Sequence, residues 1–259
     1  MTDPSLREQA VHLLRSGEAN AAVARRLGVP PGTVGYWKHL DRARRGETST
    51  RQRPLCHRCH DDQLDRTAYV YLLGLYLGDG HLPDPRGRTP HLVISCDNKW
   101  PGVMDSVEQA MRAVFPRNRT CRVARVGCHD VKVYSTHLPC HFPQHGPGRK
   151  HERTIALEVW QEELVGAHPW DLIRGLIHSD GCRITNWATR TVRGEVRRHE
   201  YPRYFFTNTS GDIVRLFTTT LDAVGVEWKE TRRASGAVNV SVARRDSVAL
   251  LDHHVGPKC

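Results

Sequence analysis

The segment YLLGLYLGDGHL, residues 71–82, is an apolar run that stops on a carboxylate. From Tyr69 to Leu77 the chain is apolar on nearly every side, so a helix here has no face to give to water and must be buried. Asp65 stands where a side-chain acceptor can cap the first turn, and Gly80 suits the left-handed residue that ends a helix. Gly74 and Gly78 lie four apart and share one face, leaving a groove that another backbone can enter. Asp79 is thereby left at the exit of a buried helix.

A second segment, LIRGLIHSDGCRI at residues 172–184, repeats the pattern. Pro169 opens a helix, Gly175 and Ser179 lie four apart, and Asp180–Gly181 ends it. Two helices with matching small faces can pack closely. That packing sets Asp79 beside Asp180 at two helix C-termini, where the macrodipole disfavours an acid by some tenths of a kcal/mol to about 1 kcal/mol. Like charges in proximity add to this cost, since one carboxylate is normally forced to hold a proton. A divalent cation resolves both problems, and Mg²⁺ (or Mn²⁺) is the natural choice for carboxylate oxygens that share an ion with phosphate.

The sequence after each helix is similar too. HLVISCDN (91–98) reads as a strand, WPGVMDSVEQAMRAVF (100–115) as an amphipathic helix, and CRVARVG (121–127) with HDVKVYST (129–136) as alternating strands. YFFTNTS (204–210), GDIVRLFTTTLDAVG (211–225), EWKETRRAS (227–235) and AVNVSVA (237–243) follow in the same order. The expected fold class is α+β. Two pseudo-symmetric halves, residues 65–165 and 166–259, each run helix, strands, helix, strand pair, helix. Arg122, Arg125, Lys132, Arg190, Arg193, Arg203, Arg232 and Arg233 fall on or beside these strands and are the candidate DNA contacts of a twisted sheet with one basic face.

LLGLYLGDG (72–80) and IRGLIHSDG (173–181) resemble the two LAGLIDADG motifs of single-chain homing endonucleases. The resemblance covers about residues 66 to 255. It implies two sheets forming a saddle over duplex DNA with the motif helices at the seam. It also implies that Asp79 and Asp180 bind the metal ions, with the carbonyls of Gly78 and Ser179 as secondary ligands. The basic residue that the family often carries near each metal site corresponds to Lys150 in the first half; the second half offers Arg244 or Arg245, with Lys258 a remote candidate. Some relatives with this fold are transcription regulators, and a helix-turn-helix fused to the LAGLIDADG fold resembles sporulation regulators of that type.

Residues 1–40 resemble the DNA-binding helix-turn-helix of resolvase-like and regulator-like proteins, the alternative being a generic three-helix bundle used for protein contacts. Three short helices place Ala10, Leu13, Leu14, Ala22, Val23, Leu27, Val34 and Trp37 inward, with Ser5 as an N-cap and a turn at Gly28–Val29. Arg25, Arg26, Thr33, Tyr36, Lys38 and His39 are its candidate DNA contacts, few of them the long forked side chains that read base edges. Residues 41–64 read as a basic linker ending in PLCHRCHDD. The C-x-x-C spacing of Cys56 and Cys59 is half of a Zn²⁺ site, or a redox-active thiol pair. Cys121, Cys128, Cys140, His141, His145 and His151 are candidates for the remaining ligands.

The formal net charge of +10 makes a polyanion the default partner, nucleic acid before membrane. MTDPSLREQA has no basic-then-apolar leader pattern and no apolar run reaches membrane-spanning length, so the expectation is a cytoplasmic, nucleoid-associated protein with reduced thiols and no membrane partner. The expected function is Mg²⁺-dependent hydrolysis of double-stranded DNA by a monomer with internal pseudo-two-fold symmetry. The alternatives are a non-cleaving DNA-binding regulator and a splicing cofactor that grips structured RNA.

Overall fold

The computed structural model describes residues 4–47, 55–60, 63–83, 87–192, 195–256 and 258–259, which form two compact units, 1–53 and 54–259. In the first, α1 (Pro4–Arg15), α2 (Asn20–Leu27) and α3 (Pro31–Arg44) close on Ala10, Val23, Ala24, Val34 and Trp37. Gly28 takes a left-handed φ of 64° and ends α2. Two expectations change. Ser5 lies inside the first turn of α1 behind Pro4 instead of capping it, and α3 runs on through residues 41–44, where the linker was expected. Asp41 belongs to the bundle because it accepts from Arg15 Nη2 of α1 at 2.6 Å.

The second unit begins with α4 (His57–His60) and α5 (Arg66–Leu77). Then follow β1 (Gly80–His81), β2 (His91–Asp97), α6 (Pro101–Val114), β3 (Thr120–Arg125), β4 (Cys128–Tyr134) and α7 (Leu138–His141). A 3-10 turn (Lys150–Glu152) and α8 (Val159–Ala167) lead to α9 (Pro169–Asp180). The second half continues with β5 (Gly181–Val192), β6 (Glu195–Asn208), α10 (Gly211–Ala223), β7 (Lys229–Arg232), β8 (Val238–Val242) and α11 (Arg245–His254).

Both sheets are four-stranded and antiparallel, in the orders β1-β2-β4-β3 and β5-β6-β8-β7. The same order twice makes the duplication a property of the fold. In each half an amphipathic helix covers one sheet face: α6 presents Val103, Val107 and Met111, and α10 presents Ile213, Phe217 and Leu221. Ile94 and Val131, like Phe206 and Val240, point from the strands into this core.

The halves differ most in their first hairpin. β1 has two residues, whereas β5 and β6 have 12 and 14 and run well beyond the core, with Arg198 stacked 5.1 Å from the Trp187 ring. The segment after IHSDG is thus a long strand that the sequence reading passes over. Polar residues on both faces of CRITNWATRTV hide its period.

α5 and α9 cross where their glycines meet. A Cβ on Gly74 would stand 2.7 Å from the Leu172 carbonyl oxygen and 2.9 Å from Gly175 Cα, and one on Gly175 would overlap the Tyr71 carbonyl oxygen. Tyr71 Oη and His178 Nδ1 hydrogen bond across the same pair at 2.9 Å. Asp65 caps α5 as expected, accepting from the Ala68 N–H at 2.9 Å. Gly80 is required for another reason than a left-handed turn. Its φ is not positive, and a Cβ there would meet Tyr76 Cα at 2.5 Å, just as one on Gly181 would meet Ile177 Cα at 2.7 Å. Each Asp–Gly pair therefore lets the strand fold back against the helix it leaves.

Candidate active site at the helix seam

The crossing at Gly74 and Gly175 fixes what lies one turn further along. Gly78 abuts Ser179: a Cβ on Gly78 would overlap the Ser179 hydroxyl and come 3.2 Å from Asp180 Oδ2. Asp79 and Asp180 consequently act on one another. Asp79 keeps an exposed surface, yet the protein around its carboxylate raises its pKa to about 6, by desolvation first and by the charge of Asp180 second. Asp180 is half-buried and also raised, by desolvation, against the hydrogen bond that Asn208 Nδ2 donates to its Oδ2 at 2.7 Å.

Two lysines supply positive charge. Lys150 Nζ donates to the carbonyl oxygens of Tyr76 at 2.6 Å and Gly80 at 2.8 Å, and to that of Gly78 between them. Lys258 Nζ donates to the carbonyl oxygen of Ser179 at 3.0 Å. Each ammonium thus rests on the carbonyl that precedes a motif aspartate. Burial lowers the Lys150 pKa to about 8 and lowers that of Lys258, with both carboxylates opposing.

The cavities on the two sides of the seam are composite. One, of about 200 Å³, brings Asp79 together with Lys258, Ser179 and His178; the other, of about 390 Å³, brings Asp180 together with Lys150, Gly78 and Asn208. Each therefore joins an aspartate of one half to a lysine contributed by the other.

Local structure explains how these lysines arrive. Arg153 Nη1 donates to the carbonyls of Gly146 and Gly148 at 2.9 and 2.8 Å, closing the loop that carries Lys150. Lys258 reaches the seam because the next residue crosses to the first half, where the Cys259 carbonyl accepts from the N–H groups of Gly102 and Val103 at the start of α6. Of the basic residues offered for the second half, Lys258 is the one at the seam. Arg244 instead pairs with Glu227, and Arg245 begins α11. The sequence hides this because the approach depends on a long-range cap.

The candidate DNA contacts divide by strand alternation. Arg125, Lys132, Arg190 and Arg203 point to the sheet face opposite the helices. Arg125 and Lys132 share Asp130 at 3.1 and 3.4 Å, while Arg203 lies over the Phe205 ring at 4.8 Å and donates to Ser241. Arg122 does not join them. Opposite Val131 in the register, it turns to the helix face and pairs with Asp105 and Glu108 of α6, both at 2.7 Å. Arg232 shares the side of Val238 and pairs with Glu230 at 3.5 Å; Arg233 follows β7 in the turn to β8; Arg193 lies outside the described residues. In the first unit Arg25, Tyr36, Lys38 and His39 are exposed, Thr33 is half-buried, and Arg26 pairs with Glu18 at 3.0 Å.

Cys56 and Cys59 are joined by His137 and Cys140, with one ligand atom from each within 4.8 Å of all the others. The sequence reading does not include His137, although H-x-x-C at 137–140 repeats the spacing of C-x-x-C at 56–59. Among the described residues, Cys121, Cys128, His141 and His145 are not members of that group, and the side chain of His151 lies outside what is described.

No protein-family model and no curated protein matches the chain. Among solved structures it is similar to the homing endonuclease I-DmoI in complex with DNA and Mn, at 15% identity and a TM-score of 0.46 over 74% of this chain and 97% of that one. It is also similar to the LAGLIDADG meganuclease I-AabMI bound to uncleaved DNA, at 12% identity and a TM-score of 0.47 over 72% and 83%. A third similar structure is the N-terminal LAGLIDADG domain of DUF199/WhiA, at 10% identity and a TM-score of 0.47 over 75% and 83%.

Proposed function

We propose that the protein is a divalent-metal-dependent endonuclease of duplex DNA, acting at the seam between its two LAGLIDADG-like halves. The observation that carries this reading is the composite pair of sites, Asp79 with Lys258 and Asp180 with Lys150, at the crossing of two glycine-bearing helices. The donor set fits Mg²⁺ or Mn²⁺: two carboxylates and the Gly78 and Ser179 carbonyls are hard oxygen ligands. Asp79 stays raised to about 6 with two ammonium groups nearby, so the site favours further positive charge. Bound there, such an ion supplies Lewis-acid stabilisation of the charge on a phosphodiester and a route to a nucleophile from water.

The chain's own residues do the positioning. Asn208 fixes the orientation of Asp180 and favours its ionised form against the upward push of burial. Lys150 and Lys258 orient the two carbonyls and set positive charge where a phosphate would enter. Lys150, lowered to about 8, can also exchange a proton near neutral pH. Arg125, Lys132, Arg190 and Arg203 on the open sheet faces are the proposed phosphate contacts, and the first unit adds Arg25, Arg26, Thr33, Tyr36, Lys38 and His39 as a proposed helix-turn-helix.

One observation favours the non-cleaving reading. The positive charge that the sequence leaves missing at the acid pair is partly supplied by Lys150 and Lys258, so the seam can stand without an ion. Incubation of the purified chain with a randomised duplex library and Mg²⁺ or Mn²⁺ separates the two. The nuclease reading expects cut products that vanish with chelator; binding with no cut under any divalent ion supports the regulator.

A further inference from the structure

We infer that Cys56, Cys59, His137 and Cys140 form a structural Zn²⁺ site that pins the entry of the second unit to the segment that leads to Lys150. This goes beyond the nuclease reading and does not rest on it. Two one-turn helices face each other, α4 carrying Cys59 with Cys56 just before it and α7 carrying Cys140 with His137 at its N-cap, each pair three residues apart. That spacing lets two ligands from one turn meet the same ion, and three thiolates with one imidazole make a closed tetrahedral set.

The distances fit an ion better than a disulfide. Zn–S bonds of about 2.3 Å place thiolates of one tetrahedron ~3.8 Å apart. Cys59 Sγ and Cys140 Sγ are 3.5 Å apart, Cys140 Sγ and His137 Nδ1 are 3.9 Å apart, and none of the cysteines is in a disulfide. Bonded sulfurs lie only about 2.05 Å apart, so an oxidised pair requires the two helices to close further. Zn²⁺ binding releases the three thiol protons and leaves a site of net charge −1, with no redox partner needed.

The packing shows what the site would hold in place. His141, the last residue of α7, is buried, and its carbonyl accepts from Tyr69 Oη of the first motif helix at 2.6 Å. Its neighbour Phe142 is buried against Tyr76 at a ring separation of 4.7 Å. Tyr76 is the residue whose carbonyl receives Lys150. α4 and α7 are too short to persist as isolated helices. An ion shared between them would fix the start of the 142–150 segment and so the reach of Lys150.

Metal analysis of the full chain, purified under reducing conditions, tests this. About one Zn²⁺ per chain is expected, together with the visible bands of a tetrahedral thiolate site on Co²⁺ substitution. Cys140→Ser and His137→Ala should each lose most of the zinc. Cys121→Ser and Cys128→Ser should retain it, and so should the double variant Asp79→Asn/Asp180→Asn, which separates this site from the seam. Zinc absent from the reduced wild type, zinc retained by both Cys140→Ser and His137→Ala, or a Cys59–Cys140 disulfide as the stable form under thiol buffer would each overturn the assignment. Where a ligand variant fails to fold, stoichiometric release of zinc from the wild type by a thiol-modifying reagent supports the site, and an absence of release counts against it.

Discussion

Lys258 Nζ donates to the Ser179 carbonyl as Lys150 Nζ does to that of Gly78, so the two residues preceding the motif aspartates are held alike by lysines that enter the opposite cavities. Lys150→Met and Lys258→Met should therefore each slow cleavage, on the order of 10²-fold for the loss of one charged stabilising group. Because each cavity has its own lysine, the slow strand should differ between the two variants. Strand-specific labelling and the build-up of nicked duplex would show this; equal slowing of both strands in both variants would contradict it.

The pKa of Asp79 sets a pH dependence for the metal-free protein. Below the ordinary carboxylate value of 3.8 the group is protonated in both folded and unfolded chains and contributes nothing. Between 3.8 and about 6 the unfolded chain ionises first, so stability falls as pH rises, and above about 6 the whole penalty is present. Asp79→Asn should accordingly raise Tm at pH 7 in the presence of chelator, with the gain shrinking toward pH 4. Mg²⁺ should raise the Tm of the wild type at pH 7 and have less effect on the variant.

The helix crossing leaves no room for a methyl group. Gly74→Ala and Gly175→Ala each place a carbon against backbone of the opposing helix, which cannot move aside as a flexible side chain can. Overpacking of this kind costs about 1–3 kcal/mol, and both variants should show it in chemical denaturation. Gly225→Ala tests a different cause: open space surrounds that position, and only its left-handed φ of 71° opposes the substitution.

Arg122 and Arg203 should separate stability from binding. Arg122→Ala leaves Glu108 and Asp105 without one ionic partner and should cost about 1 kcal/mol of stability with little change in DNA affinity. Arg203→Ala should weaken DNA binding across sequences and reduce the slope of log affinity against log salt by about 1. Fluorescence anisotropy at several salt concentrations reads both variants.

Both motif helices, their glycine faces and the pairing of Asp79 with Asp180 are legible in the sequence, since each rests on local periodicity or on small residues repeated at one spacing. What escapes notice depends on distance through space. Lys258 reaches the seam because the Cys259 carbonyl meets α6, and His137 joins Cys56 because two short helices face one another. Arg122 looks like its neighbours in CRVARVG until the strand register turns it toward α6. Gly80 misleads in another way: its need for a glycine is clear from sequence, but the reason is contact with Tyr76 and not a left-handed backbone.

The proposed nuclease needs Asp79 and Asp180 for cutting and the rest of the chain for holding DNA. The most direct measurement compares the wild type with Asp79→Asn/Asp180→Asn on a duplex selected from a random library, reading binding and cleavage together in Mg²⁺ or Mn²⁺. The double variant should bind this duplex about as well as the wild type and leave both strands intact, while the wild type cuts both. A double variant that still cuts, or a wild type that binds its selected duplex and cuts neither strand with either ion, would contradict it.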